Sequence, residues 1–304
     1  MNENAALSDG HNIGLATWVA RGLATCFVIL AILWTFQVAS RLGISVFKEQ
    51  FLLVALALAG AAVYLTVGWD GKKADRTPLY DWMAAVLMLA APFYIAANYE
   101  RFLADAPYGT TEMLILGIIV LLLVLEGLRR VAGMFLFAVV MVFIAYALFA
   151  HLVPAPLTGS RSDIVPLTIY LTFDTNALIG APLAVATSTV VLFILLGQVL
   201  FNTGGGEFFT DIAAATMGHK RGGAAKISVV ASGLFGSISG SAISNVTTTG
   251  VITIPLMKKS GYSAADAGAI EANASTGGQF MPPIMGAAAF LMAEFLEIPY
   301  SDVV

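Results

Sequence analysis

Charge is what this sequence has least of: Asp, Glu, Lys and Arg together make up 11% of its residues, where an ordinary soluble domain carries about a quarter. With 59% hydrophobic residues, the chain calls for lipid as its solvent. Cysteine is almost missing, and the single Cys26 excludes any disulfide framework within the chain. Histidine is scarce too. His11, His151 and His219 fall in a tail or at the ends of apolar runs, so they supply neither a metal cluster nor a buried base for a serine nucleophile. The segment GSISG (236–240) is not a G-x-S-x-G elbow, because Ile238 stands where that turn needs its serine. No enzymatic activity, no cofactor and no nucleic-acid partner are expected.

What is abundant is length of apolar run. Stretches of about twenty residues, rather than alternating ten-residue segments, predict transmembrane helices and an all-α polytopic membrane protein. The expected spans are 22–39, 51–68, 81–98, 112–127, 131–150 and 184–202. The first lacks a small-residue cleavage site and is followed by further spans, so it reads as a retained helix. With the N-terminus cytoplasmic, Arg21, Lys72, Lys73, Arg76, Arg129, Arg130, Lys220, Arg221 and Lys226 fall inside, and Arg41, Lys48, Arg101 and Arg161 outside. That split obeys the positive-inside rule and its reverse does not. In the polar loop 68–82, Lys72, Lys73 and Arg76 are expected to meet lipid headgroups. The outer connection 151–180, with Pro154, Pro156, Pro166 and Asp174, reads either as a connecting loop or as a surface helix.

Beyond the glycine triplet 204–206 and the basic turn GHKRGGAAK (218–226) the pattern changes. Residues 227–257 are apolar at their ends and carry GSISGS at their centre. One helix of that length would run about 46 Å, too long for the hydrocarbon, while each half at about 21 Å is too short. A re-entrant hairpin that enters from and returns to the cytoplasm accommodates both lengths, and it places Lys258 and Lys259 inside as well. Residues 262–297 form a second helical pattern, interrupted by Gly277, Gly278, Pro282 and Pro283, hence a discontinuous helix.

Non-helical backbone at membrane depth survives only where protein or a wet cavity satisfies its N–H and C=O groups. Ser237, Ser239, Gly240, Ser241, Ser244 and Asn245 make the first break; Ser275, Thr276, Gly277, Gly278, Gln279 and Pro282 the second. Their hydroxyl and carbonyl oxygens suit a hard cation, and half-helix N-termini suit an anion. The alternative is close packing through small residues, since Gly236 and Gly240 form a GxxxG pair. Glu271 and Asp266 lie in the first part of the discontinuous helix. An acid at membrane depth is a functional candidate, and Glu271 is kept as a member of the site.

GSISGSAISNVTTTGVITIPLMKKSGY and EANASTGGQFMPPIMGAAAFLMAEFLEIPY closely resemble the large membrane subunit of TRAP transporters, in the fused-permease form that works with TAXI-type binding proteins. RGGAAKISVVASGLFG, LEGLRRVAGM and YDWMAAVLMLAAPFYIAANYE extend the resemblance over most of the chain. It implies small-subunit-like scaffold helices over 1–105 and the first half of the large transport subunit over 106–304. It further implies a sodium-driven elevator in the bacterial inner membrane, importing organic anions, carboxylates above all, delivered by a periplasmic substrate-binding protein. Carried over by residue, sodium is expected at Ser239, Gly240, Ser241, Gly277 and Met281, and substrate at Ser237, Ser244, Asn245, Ser275, Thr276, Gly278 and Gln279. The family repeats this hairpin and broken helix in inverted topology, so the chain is expected to need the remaining C-terminal half of the permease. The alternative is a passive ion-conducting or structural membrane subunit without alternating access.

Overall fold

A computed structural model of the chain describes residues 14–72 and 77–304. His11, Lys73 and Arg76 lie outside the described residues. Among those described, every regular element is a helix, and five helices are long and apolar enough to cross a membrane: Leu15–Thr35, Lys48–Thr66, Leu79–Ala97, Thr111–Leu152 and Ala181–Asn202. This is a polytopic membrane fold. The expected spans fall within these helices or a few residues from their ends. The fourth and fifth follow each other without a loop, two helices within Thr111–Phe149 that meet at a kink at Gly133, where the backbone leaves helical geometry (φ 85°, ψ 172°).

The polypeptide divides into two compact units, one ending at Leu183 and one beginning at Ala184. In the first unit, Lys48–Thr66 packs along Leu79–Ala97, where Gly60 leaves room for the Met88 side chain. Ala61, Tyr64, Leu65, Ala85 and Met88 form one buried cluster there, and Leu53, Ile95, Phe102, Met113 and Val120 form another. The connection 151–180 does hold a helix, Ile164–Phe173. It packs on the course that begins at Thr111, with the Thr172 hydroxyl donating to the Gly117 carbonyl at 3.3 Å, and Thr168 and Thr172 are buried.

Arg130, expected on the cytoplasmic side between the fourth and fifth spans, has partners that the sequence pattern does not reveal. It is buried, with its guanidinium 2.7 Å from Asp81 and 2.8 Å from Glu126, over the Tyr64 ring at 4.8 Å and bonded to the Val67 carbonyl at 3.2 Å. The helix runs on past it to Gly133, so the arginine that hydropathy assigns to a turn sits one turn inside a helix, compensated by acids. Its neighbour Arg129 pairs with the same Glu126 at 2.7 Å.

In the second unit the glycine triplet opens a helix, Gly205–Met217. The hairpin follows: a first arm, Gly223–Ser239, and a second arm, Ala242–Lys259. At 1.5 Å per residue each arm is about 26 Å long, short of a full hydrocarbon crossing. Gly240 makes the turn with φ 60°, ψ 2°, a left-handed conformation costly for any residue with a Cβ. Ser241 then caps the second arm by accepting the Ser244 N–H at 3.3 Å, and Lys258 and Lys259 close its last turn, where the helix dipole favours cations.

The discontinuous helix starts at Ser263, whose hydroxyl accepts the Asp266 N–H at 3.0 Å and donates to the Asp266 carboxylate at 2.7 Å. Asp266 is thus an exposed capping residue. The helix runs Ala264–Gly277, passes through a short 3₁₀ turn at Gly278–Phe280 and resumes as Ala287–Leu296. The interruption falls at the expected glycines and prolines.

Candidate functional site

The hairpin tip and the interruption of the next helix are side by side. The Ile284 N–H donates to the Ser237 carbonyl at 3.1 Å, and within the interruption the Gly286 N–H donates to the Gln279 carbonyl at 2.8 Å. A Cβ on Gly240 would lie 2.4 Å from the Met285 carbonyl oxygen, and one on Gly236 2.4 Å from the Gly278 Cα. Backbone meets backbone at both points, which only glycine permits.

Between tip and interruption lies a cavity of about 610 Å³, reached by Ser239, Gly240 and Ser241 from one side and by Gln279, Met285 and Gly286 from the other. Phe193 and Phe290, stacked at 5.2 Å, flank it. Four helix ends converge on it. The first arm ends at Ser239 and the helix from Ala264 ends at the 3₁₀ turn, both with carbonyls; the second arm begins at Ala242 and the last helix at Ala287, both with N–H groups. Carbonyl ends favour a cation, and N–H ends an anion. Ser239 lines this cavity, and its hydroxyl is buried with no hydrogen-bond partner among the described residues. A buried hydroxyl without a partner costs about 1–3 kcal/mol, so its presence asks for something to bind. Met285 holds a left-handed backbone, φ 58°, a strain typical of functional turns. Sequence reasoning missed it.

The expected site residues separate into groups. Ser239, Gly240, Ser241 and Gln279 reach the cavity together. Ser244 contributes through its backbone to the Ser241 cap. Ser237 is held by its own helix, its hydroxyl donating to the Leu234 carbonyl at 2.7 Å. Asn245 is fully buried, donating from Nδ2 to the Ser232 carbonyl at 2.7 Å. Gly278 closes against Gly236. Thr276 is exposed, and its hydroxyl donates to the Ala272 carbonyl at 2.8 Å. Gly277 and Met281 are not brought to the tip cavity; they line a second, mainly apolar recess of about 830 Å³ with Val229, Gly233, Leu234 and Ile270.

Glu271 and Ser275 belong to a separate polar core. Glu271 is fully buried and takes hydroxyl hydrogen bonds from Ser228, Ser232, Thr249, Thr253 and Ser275 at 2.5–3.0 Å. The acid that composition could only nominate is therefore the hub of the three packed helices. The signal was present as three polar pairs spaced by four, Ser228/Ser232, Thr249/Thr253 and Glu271/Ser275, each presenting one helix face.

A match to a family fits this architecture: residues 119–304 correspond to the tripartite ATP-independent periplasmic transporter, DctM component. The chain belongs to that family. Among curated relatives, the C4-dicarboxylate TRAP transporter large permease protein DctM of Pseudomonas aeruginosa is 40% identical over 32% of this chain and 23% of its own length. Its Vibrio cholerae counterpart is 38% identical over 32% and 22%. The sialic acid TRAP transporter permease protein SiaT of Haemophilus influenzae is 35% identical over 31% and 15%. The matched stretch thus spans about a quarter or less of these relatives. No solved structure matches the chain. No group of three or more His, Cys, Asp or Glu side chains that could hold a metal ion occurs among the described residues.

Proposed function

We propose that the tip cavity is half of the ion and solute site of a sodium-coupled TRAP permease that imports organic anions. The observation that carries this reading is a buried hydroxyl without a partner among the described residues, on Ser239 in the lining of a cavity where two carbonyl ends and two N–H ends meet. Sodium as coupling ion finds oxygens at Ser239, Gly240 and Ser241 and at the facing backbone of 279–286; the anionic group of the solute finds the N–H ends at Ala242 and Ala287. Gly277 and Met281 act on this site from the neighbouring recess by shaping the interruption. The relatives' names, C4-dicarboxylate and sialic acid, are of carboxylates, and a carboxylate is the solute class proposed here.

In this reading a periplasmic binding protein of the TAXI type delivers the solute, the helices up to about residue 105 act as the small-subunit-like scaffold, and the second unit moves as an elevator with the remaining C-terminal half of the permease. The N-terminus is cytoplasmic in the bacterial inner membrane. The test is uptake by the full-length permease with its binding protein in proteoliposomes. An inward sodium gradient should drive the carboxylate above its equilibrium level, and collapsing the gradient should abolish accumulation. Uptake that only equilibrates would instead mark a passive conductor, and accumulation indifferent to sodium would refute the coupling.

A further inference from the structure

The polar core around Glu271 touches neither cavity, yet it connects both hairpin arms to the helix that leads into the interruption. Its Oε1 accepts from Ser232 at 3.0 Å, Thr249 at 2.5 Å and Ser275 at 3.0 Å; its Oε2 accepts from Ser228 at 2.7 Å and Thr253 at 2.5 Å. A carboxylate offers about four lone-pair directions. Five hydroxyls saturate them, so Glu271 has no oxygen left for an ion. Ser228 and Ser232 come from the first arm, Thr249 and Thr253 from the second, and Ser275 from the helix of Glu271 itself.

From there the network runs toward the tip. Thr249 lies 3.3 Å from the Asn245 side-chain oxygen, and Asn245 Nδ2 reaches the Ser232 carbonyl at 2.7 Å and the Ser275 carbonyl at 3.5 Å. The same Nδ2 abuts Gly278, where an added Cβ would lie 2.8 Å away. Gly278 opens the interruption, and its partner Gly236 lies in the last turn of the first arm. An apolar side chain at 271 could fill the volume but would set no register, whereas hydrogen bonds are directional and fix both arms against the third helix.

We propose that Glu271 is a positioning residue for the cation half of the site: by holding both hairpin arms to its own helix, it fixes the oxygens at 239–241 relative to those at 279–286 without touching the ion. The inference rests on the sodium reading above. Its test is Glu271→Gln in the full-length permease, reconstituted with its binding protein and a transported carboxylate. The amide points two hydrogens at hydroxyls that now donate, so the register loosens. The sodium half-saturation should rise about tenfold, the lower end of what loss of a supporting partner costs a metal site, while the maximal rate at saturating sodium stays within about threefold. Glu271→Asp, which restores the carboxylate, should recover part of the shift.

If the glutamine variant does not fold, Ser228→Ala and Thr253→Val each remove one donor and should move sodium half-saturation in the same direction. Folded variants with unchanged sodium half-saturation, or with a lower maximal rate alone, would overturn the inference while the unaltered permease stays sodium-dependent. Absence of sodium dependence in the unaltered permease would remove both this inference and the reading beneath it.

Discussion

The Gly236–Gly278 contact can be tested by adding one methyl group to either side. In Gly236→Ala the new Cβ would stand 2.4 Å from the Gly278 Cα, 2.9 Å from its carbonyl carbon and 3.0 Å from Asn245 Nδ2. Carbon atoms in good contact sit about 3.5–4.0 Å apart, so the first arm and the interruption must separate by about 1 Å. Overpacking of this kind costs about 1–3 kcal/mol. Stretching the Asn245 bond to the Ser232 carbonyl, now 2.7 Å, adds about 1 kcal/mol, for a total of about 2–4 kcal/mol. Gly278→Ala should cost a similar amount, because its Cβ would meet Gly236, Asn245 and the Ser232 carbonyl at 2.8–2.9 Å. Once either alanine has opened the gap the second finds room, so the double variant should be less destabilised than the sum by about 1–2 kcal/mol. Denaturant unfolding in detergent, followed by circular dichroism, measures all three; the four tryptophans, Trp18, Trp34, Trp69 and Trp82, all lie in the first unit and do not report on this contact. Either single variant within about 0.5 kcal/mol of the parent, the range of an ordinary surface change, or strict additivity in the double, would refute the reasoning.

Two further outcomes follow from other parts of the fold. Arg130→Ala removes the guanidinium 2.7 Å from the fully buried Asp81 and should destabilise the protein by about 3–5 kcal/mol, because a buried acid loses its counter-charge; adding Asp81→Asn to it should recover part of that loss in the same unfolding assay, and no recovery would show the pair to be uncoupled. Ser239→Ala deletes a buried hydroxyl that bonds to nothing among the described residues, so without ligand the protein should be no less stable and should gain up to about 1–3 kcal/mol, while the sodium half-saturation of transport rises several-fold. A stable Ser239→Ala permease with unchanged sodium dependence would show that this hydroxyl does not serve the ion.

The sequence by itself determined the solvent, the class and the breaks. Charge at 11% and apolar runs of about twenty residues leave helices in a membrane as the workable solution, because unpaired backbone groups are too costly in lipid for anything open-edged. Gly240 and the Gly277–Pro283 stretch mark the two breaks because residues without a Cβ or without an N–H act locally, within one turn of helix. Only tertiary structure decided which polar residues serve the cavity and which serve the core. Ser275 and Asn245 look no different in sequence from Ser239 and Ser241, yet the first two are spent inside the three-helix packing and the last two reach the cavity. Arg130 shows the same limit, since the rule that places basic residues in loops cannot know that Asp81, some fifty positions earlier in the chain, will be folded against it. A hydroxyl or a charge carries its chemistry in its own atoms. Its partner is set by which helix faces meet, and that depends on packing between segments far apart in the chain.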